Sequence, residues 1–401
     1  MSHAGSKVSR RASFWLLAAL LVLLLFAASA PSPLYAVYAA MWQFSSITLT
    51  AIYAVYAFAA LAALLATGRL SDHVGRRRVV VIGLVVQIAG MLAFIIAQGV
   101  GGLFAARILQ GLGTGIATGA ISAWLLDLQP PDNPRLGSLV GGIAVVAGLA
   151  AGALGSGLLA QYGPDPLHLV FWLLAVGYAV GLAAAFVIPD PVERKEGWLG
   201  SMRPEIGVPQ AARSLFVALA PSLIATWAVG GLYLSLGPSL AISLLQYDSR
   251  VAGGLVIVAL LGTASIASAL VRAAGPTEIV IGGSIVLIGG VGITLLAVAI
   301  GSIAGLYAGS VMAGLGFGPA FSGVFRSLAP VVPADKRGAL LASIYIVLYL
   351  SFSVPAIIAG VAVTQFGLRG TTFAFGLLVM ALAALTTITV WRRQAGADLI
   401  G

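Results

Sequence analysis

Residues 68–80 read Gly-Arg-Leu-Ser-Asp-His-Val-Gly-Arg-Arg-Arg-Val-Val and separate two long apolar runs. The segment has arginines at positions 69, 76, 77 and 78, beside a single carboxylate, Asp72. Short loops rich in Lys and Arg favour the cytoplasmic side of a membrane. The sequence therefore predicts a cytoplasmic loop between two membrane-spanning helices.

The composition of the whole chain agrees with a membrane protein. Hydrophobic residues make up 60% of it and charged residues only 8%, whereas about a quarter of a soluble domain is charged. The net charge of +9 lies in short clusters between apolar runs, which argues against a nucleic-acid partner. Without cysteine, disulfides and cysteine metal sites are excluded. We expect an integral protein of the lipid bilayer with no metal and no cofactor.

Twelve apolar runs have the length of a membrane-spanning helix, about 20 residues. Lipid admits only helices or closed barrels, and the runs show no strand-like alternation. The predicted spans are 14–36, 47–68, 79–98, 102–126, 138–160, 167–188, 214–236, 250–272, 279–300, 303–326, 338–362 and 368–391. They predict an all-α fold with an N-terminal six-helix half (1–188), a cytoplasmic linker (189–213) and a C-terminal six-helix half (214–401).

The start of the chain has a second interpretation. Basic residues, an apolar core and Ala28-Ser29-Ala30 together mimic a cleaved secretory signal. We expect an uncleaved first helix instead, because the apolar character continues past Ala30. Pro31, Pro33, Pro221, Pro238, Pro319 and Pro355 are expected to kink or break their helices.

The basic residues predict the orientation. With the N-terminus in the cytoplasm, 18 of the 21 Lys and Arg residues fall on the cytoplasmic side. Arg250 and Arg369 fall outside, and Arg107 lies within a span. This asymmetry predicts a multi-pass protein of the cytoplasmic (inner) membrane with both termini in the cytoplasm.

An internal repeat supports two related halves. Span 4 contains Gly-Leu-Gly-Thr-Gly at 111–115, and span 10 contains Gly-Leu-Gly-Phe-Gly at 314–318, which is 203 residues later. The same offset relates Pro130 to Pro333 and Asp132 to Asp335. Two related six-helix halves with a substrate site between them are a recurrent transporter plan.

The spacing in the 68–80 loop resembles the signature loop of the major facilitator superfamily. That pattern is Gly-x-x-x-Asp-(Arg/Lys)-x-Gly-Arg-(Arg/Lys), and the chain matches it at Gly68, Asp72, Gly75, Arg76 and Arg77. His73 stands where the family usually has a basic residue. The alternative interpretation is a basic loop that only sets the membrane topology and contains one incidental aspartate.

The resemblance implies a cytoplasmic latch. In the family, the aspartate meets the start of helix 11, and the arginine pairs with an acid at the end of helix 4. Asp127 stands at the corresponding end of span 4. These contacts would hold the two halves together in the outward-facing state.

Span 4 places a cation within the membrane. Arg107, Gly111, Gly115 and Gly119 are four residues apart and form one ridge, and Arg107 to Gly111 resembles the family's Arg-x-x-x-Gly element. A charge at this depth costs a few kcal/mol and marks a functional candidate. Two roles stay open for Arg107: contact with the substrate, or a structural hold on span 1.

Span 5 is expected to be a packing helix. Gly148 and Gly152 lie on one face with two further glycines. The antiporter form of this motif contains a Gly-Pro pair, and no proline occurs between Gly141 and Tyr162. We therefore predict helix packing for Gly111, Gly115, Gly148 and Gly152.

The spans offer few titratable candidates, since the acids and histidines of the sequence lie in loops or near helix ends. A coupling proton is thus a possible partner, but no titratable side chain inside a span stands out to bind it. The candidates for substrate contact or coupling are Arg107, Gln110, Tyr35, Tyr53, Trp227 and Tyr345. For each aromatic residue, interfacial anchoring or core packing is the alternative.

Together, these features predict a secondary active transporter that moves a small organic molecule by alternating access, with export favoured and a monomer expected. Import or uniport of a small metabolite is the alternative. A receptor or scaffold without transport is a further one. No catalytic cluster is visible, so an enzyme is not expected.

Overall fold

The computed structural model describes residues 9–133, 136–192, 196–245, 249–333 and 336–398. These ranges contain helices and no strands. The α-helices are α1 Arg10–Ser29, α2 Tyr35–Trp42, α3 Ser46–Thr67, α4 Ser71–Val74, α5 Arg76–Ile95, α6 Val100–Asp127, α7 Leu136–Tyr162, α8 Leu169–Val187, α9 Trp198–Ser201, α10 Gln210–Ser235, α11 Gly237–Leu245, α12 Arg250–Leu270, α13 Pro276–Ile300, α14 Ile303–Leu328 and α15 Arg337–Asp398.

Eleven segments of the described chain are long and apolar enough to cross a membrane. The last of them lies in α15, whose 62 residues would reach about 93 Å as a straight helix, about three times the hydrocarbon thickness. Gly367 interrupts α15 with φ 71° and ψ 167°, so two helices meet there. Counted as two spans, α15 completes the twelve predicted, and the predicted all-α membrane fold is confirmed.

The first span is broken rather than continuous. α1 ends at Ser29, a 3-10 turn covers Ser32–Leu34, and α2 continues the apolar segment. Pro31 explains the break, because it has no N–H for the Ala27 carbonyl and its ring obstructs the helix. The prediction of one helix over 14–36 was wrong here, whereas the expected break at Pro31 is present.

The other prolines behave differently. α10 gives way to α11 just before Pro238, but α10 continues through Pro221, α14 through Pro319 and α15 through Pro355. Neighbouring helices can satisfy the backbone groups that a proline frees within a membrane.

The chain divides into two compact units. The first comprises residues 1–34 and 55–204, and the second comprises residues 35–54 and 205–401. The boundary at 204/205 falls within the predicted linker. Nothing in the hydropathy or charge pattern predicts that residues 35–54 belong with the second unit. The division into halves at 1–188 and 214–401 stays a prediction.

Glycines on α6 bring its backbone against α3 in the first unit. A Cβ atom added at Gly111 would collide with the carbonyl oxygen of Tyr56, and one added at Gly115 with that of Ala60. No side chain fits at either position. This contact is the small-residue packing that lets membrane helices approach closely.

The second unit builds the same contact from its own residues. Added Cβ atoms at Gly314 and Gly318 on α14 would collide with the carbonyl oxygens of Leu260 and Ala264 on α12. The glycines lie 203 residues after their α6 counterparts, and the carbonyls lie 204 residues after theirs. The sequence repeat is therefore also a repeat of packing geometry. Asp335, part of the proposed repeat, lies outside the described residues.

α7 packs on α1 through the two glycines predicted for packing. An added Cβ at Gly148 would lie 2.8 Å from the carbonyl oxygen of Val22, and one at Gly152 would collide with that of Phe26. Ser29 reinforces the pair by donating a hydrogen bond from Oγ to the Leu149 carbonyl oxygen at 2.6 Å. α7 thus holds α1, the first of the two helices into which the first span is divided.

We predict that Gly115→Ala destabilises the protein while Gly119→Ala does not. Both glycines lie on the α6 ridge, but an added Cβ at Gly119 has nothing within 4 Å. Overpacking against a backbone should cost about 1–3 kcal/mol, whereas alanine favours an open helical site. Thermal unfolding of the purified variants in detergent measures the difference. Equal melting temperatures would contradict the packing role of Gly115.

Candidate functional site

The loop of residues 68–80, which we call the gate loop, lies where α4, α5 and α6 meet in the first unit. Gly75 separates α4 from α5 and has φ 98°, a backbone conformation that favours glycine. An added Cβ there would also lie 2.8 Å from Asp190 Oδ2. Glycine at this position thus serves both the turn and the approach of a carboxylate.

Arg76 is the centre of a polar cluster. Its Nε donates to Asp127 Oδ2 at 3.0 Å, and its Nη1 donates to Ser71 Oγ at 2.7 Å and to Asp72 Oδ1. The Arg76 side chain is only 11% exposed, while Asp72 is 51% exposed. The pairing with Asp127 is the one that the family resemblance implies. One guanidinium thereby joins three helices.

Gly68 directly follows α3. A Cβ placed there would lie 2.9 Å from the Leu64 carbonyl oxygen of the preceding turn, and no other helix of the first unit comes within 4 Å of it. The role of Gly68 in the latch stays a prediction.

Asp190 caps the start of α5. Its carboxylate accepts hydrogen bonds from the backbone N–H groups of Arg76, at 3.3 Å, and Arg77, at 3.1 Å. The first N–H groups of a helix lack partners inside the helix and carry partial positive charge, so a carboxylate is favoured there. Asp190 therefore ties the linker that follows α8 to the gate loop.

Two neighbouring bonds strengthen this tie. Arg77 Nη2 donates to the Ile188 carbonyl oxygen at 2.7 Å, and Trp124 Nε1 donates to that of Pro189 at 2.8 Å. Trp124 is fully buried on α6. The gate loop, the end of α6 and the exit from α8 form one connected structure.

Arg107 and Gln110 hold the end of α1. Arg107 Nη1 donates to the Ala28 carbonyl oxygen at 3.1 Å, and Gln110 Nε2 donates to that of Ala27 at 2.7 Å. Both side chains are completely buried. Ala27 is the residue whose helical partner would be Pro31, which has no N–H. The two side chains thus supply donors where the broken helix lacks them.

Further contacts fix the Arg107 guanidinium. Its Nη1 also donates to Gln110 Oε1 at 2.5 Å, and its Cζ lies 4.2 Å from the centre of the Tyr56 ring. A cation over an aromatic face is stabilised most when desolvated. Gln87 on α5 extends the network by donating to Thr114 Oγ1 at 2.7 Å. This geometry corresponds to the structural hold on span 1.

The remaining candidates fall into separate places. Tyr35 and Tyr53 are buried in the second unit, with ring centres 5.1 Å apart. Tyr345 lies on α15 with its ring centre 6.5 Å from that of Tyr349. Trp227 on α10 packs among phenylalanines of α14 and α15.

The second unit has a different arrangement at the corresponding loop. Arg326, in the last turn of α14, donates to the carbonyl oxygens of Val271 at 3.3 Å and Ala274 at 2.7 Å. At the start of α13, the Gly275 N–H donates to the carboxylate of Glu278 at 3.4 Å. The acid at the start of α13 is thus a residue of α13 itself, Glu278, whereas the acid at the start of α5 is Asp190 of the linker.

Comparison with known proteins identifies the family. The family model described as Major Facilitator Superfamily matches residues 17–354. The chain belongs to the major facilitator superfamily. It is therefore a multi-pass membrane protein of a transporter family.

Individual relatives match over limited lengths. The inner membrane transport protein YajR of Escherichia coli K12 is 31% identical over 125 residues, which cover 31% of this chain and 26% of YajR. The multidrug resistance protein MdtL of Klebsiella pneumoniae is 27% identical over 129 residues, which cover 32% of each chain. The matches thus span about a third or less of these relatives.

A solved structure matches over almost the whole chain. A POT family transporter in complex with 5-aminolevulinic acid has a TM-score of 0.74 at 13% identity, covering 95% of this chain and 96% of that one. At this identity, the likeness establishes the fold alone.

Sequence reasoning missed several residues of these clusters. Asp190 carries no motif of its own, and only the folded chain brings it to α5. Gln87 resembles any lone polar residue in a span. Phe317 and Phe321 did carry a signal, since they are four residues apart and share one face of α14.

We predict that Arg107→Lys behaves like Arg107→Ala. Lysine keeps the charge but lacks the planar fork that contacts Ala28, Gln110 and Tyr56 together. Each buried carbonyl or amide left unpaired should cost about 1–3 kcal/mol. Thermal unfolding and substrate flux of both variants test this. Near-wild-type flux in Arg107→Lys, with loss in Arg107→Ala, would instead favour a substrate counter-ion.

We predict that Asp190→Ala loosens the gate loop. Loss of a capping carboxylate costs about 0.5–2 kcal/mol. Asp132→Ala is the matched control, because Asp132 is an exposed loop acid. Hydrogen exchange at the first turn of α5 should accelerate in the first variant and stay unchanged in the control. Equal protection in both would contradict the cap.

Proposed function

We propose that this protein is a secondary active transporter that exports a small organic molecule across the cytoplasmic membrane by alternating access. Membership of the superfamily supports transport. The observation that carries the mechanism is the Arg76 cluster, in which one largely buried guanidinium joins Ser71, Asp72 and Asp127. Such a cluster fits a gate at the membrane edge.

The gate would work as a two-state latch. Asp72 pairs with Arg76 yet stays half exposed, so its carboxylate has surface for a second partner. By the family resemblance, that partner is the N-terminus of the eleventh span, which begins at Arg337 here. A helix N-terminus favours a carboxylate. The latch would close the cytoplasmic side in the outward-facing state.

Two observations support export. MdtL is named a multidrug resistance protein, and the loop motif resembles exporters. Both termini are proposed to be cytoplasmic from the distribution of basic residues. A proton is the proposed coupling ion, although the acids on the described spans stand only in first or last turns.

The direction of transport can be measured in membrane vesicles. We suggest adding a panel of uncharged and charged drugs to the outside of everted and right-side-out vesicles from cells that express the protein. Export predicts uptake into everted vesicles, which Arg76→Ala should abolish and Arg78→Ala should retain, because Arg78 is exposed on the same helix turn. Uptake only into right-side-out vesicles would indicate an importer.

We predict that Asp72→Asn shifts the protein toward the inward-open state. The amide keeps the size of the side chain but weakens both the pair with Arg76 and the contact with a helix N-terminus. The chain has no native cysteine, so Gly142→Cys on α7 and Gly338→Cys on α15 provide single reporters. Both sites leave a Cβ without neighbours within 4 Å.

Labelling of each reporter with a water-soluble maleimide gives the readout. Faster labelling in the Asp72→Asn background is expected. Unchanged rates at both positions would favour the simpler interpretation, a basic loop that only sets topology.

A further inference from the structure

Five aromatic side chains form a continuous cluster in the second unit, which we call the aromatic ladder. It consists of Trp227 on α10, Phe317, Phe321 and Phe325 on α14, and Phe352 on α15. The three phenylalanines of α14 are four residues apart and share one face. Three helices therefore contribute to one aromatic surface.

Trp227 lies at the centre of the ladder. Its ring centre is 5.5 Å from that of Phe321, 6.3 Å from that of Phe352 and 6.4 Å from that of Phe317. The rings meet at angles of 53–67°. Such tilted pairs are favourable, and they leave parts of the ring faces uncovered.

The exposure of the ladder differs from that of a core pair. Phe94 and Phe171 in the first unit are stacked at 4.4 Å and 3°, and both are at most 1% exposed. In contrast, Trp227, Phe321 and Phe325 are only partly buried. The other two members, Phe317 and Phe352, are buried. The ladder thus presents accessible aromatic surface.

The Trp227 end of the ladder lies at membrane depth, whereas Phe325 stands in the last turn of α14. Trp227, Phe317 and Phe352 are all more than two helical turns from the nearest end or break of their helices. The indole Nε1 of Trp227 is buried and donates to no atom of the described chain. A buried N–H without an acceptor is costly, and an acceptor on a molecule bound against the indole would remove that cost.

Charge limits what such a molecule can be. The described helices that form the ladder carry no acid within two turns of it, so a cation would find no counter-charge. The cation next to the ladder, Arg326, already donates to the carbonyl oxygens of Val271 and Ala274, so it is not a free partner for an anion. Ring faces and one N–H donor suit an uncharged, planar aromatic compound with a hydrogen-bond acceptor.

We propose that the aromatic ladder binds the planar aromatic ring of an uncharged substrate, with Trp227 Nε1 donating a hydrogen bond to it. The inference rests on the proposed transport function and names its substrate class. In this proposal, Phe321 and Phe325 contact the aromatic ring of the substrate. Phe317 and Phe352 pack against Trp227 and fix its indole.

The test uses the full chain in lipid nanodiscs and the uncharged fluorescent probe N-phenyl-1-naphthylamine. Binding is the saturable fluorescence above that of empty nanodiscs. Displacement by 1-naphthol is then compared with displacement by 1-decalol, its saturated counterpart. The proposal expects saturable binding and displacement by 1-naphthol only. Equal displacement by both alcohols would overturn the need for an aromatic ring.

Variants locate the site. Phe321→Leu and Phe325→Leu should each raise the Kd of the probe about three- to ten-fold. Trp172→Phe is the control, because Trp172 is 49% exposed on α8 and should leave the Kd unchanged. Unchanged binding in both leucine variants, with melting temperatures near wild type, would overturn the proposal.

The indole donor has its own readout. Trp227→Phe keeps a ring but removes the N–H, so it should weaken displacement by 1-naphthol and leave displacement by naphthalene unchanged. Equal effects on both would contradict the hydrogen bond. Absence of saturable probe binding in wild-type protein that moves another compound in vesicles would overturn the ladder site and leave the transport function intact. Absence of flux for every compound would count against transport itself.

Discussion

Inside a bilayer, a backbone carbonyl released by a broken helix has no water to bind, and the protein must supply its donor. The break at Pro31 creates this demand in the first span. Arg107 and Gln110 meet it from α6, and α6 in turn is held against α3 by its glycines. The position of the buried cation, the close approach of the helices and the break in the first span are thus parts of one arrangement.

A second polar arrangement lies at the edge of the spans, and there the two units differ. In the first unit, a loop arginine pairs with carboxylates of α4 and α6, and a linker carboxylate caps α5. In the second, Arg326 binds carbonyl oxygens directly, and α13 uses its own Glu278. Ion pairs between partly exposed groups respond to salt and to neighbouring charges. The first unit is therefore the better suited of the two to act as a gate.

Most of the fold followed from hydropathy, because membrane thickness fixes helix length and charge fixes the loops. Helical spacing found the glycine ridge, and the family resemblance supplied the gate motif. Sequence reasoning did not place Asp190, whose partners on α5 are more than a hundred residues away, and it could not choose between the two roles of Arg107. That choice depends on whether the guanidinium is surrounded by protein, which only packing reveals. The joining of residues 35–54 to the second unit was likewise invisible in the sequence.

The repeated contact between glycines and carbonyl oxygens has an evolutionary consequence. Gly111 and Gly115 kept their counterparts Gly314 and Gly318, whereas Ser310 stands at the repeat position of Arg107 and Pro330 at that of Asp127. Where two backbones touch, nearly every substitution is excluded in both copies, so the repeat stays recognisable there. Polar positions are not restricted in this way, and the two units carry unlike polar residues beside the same backbone contacts.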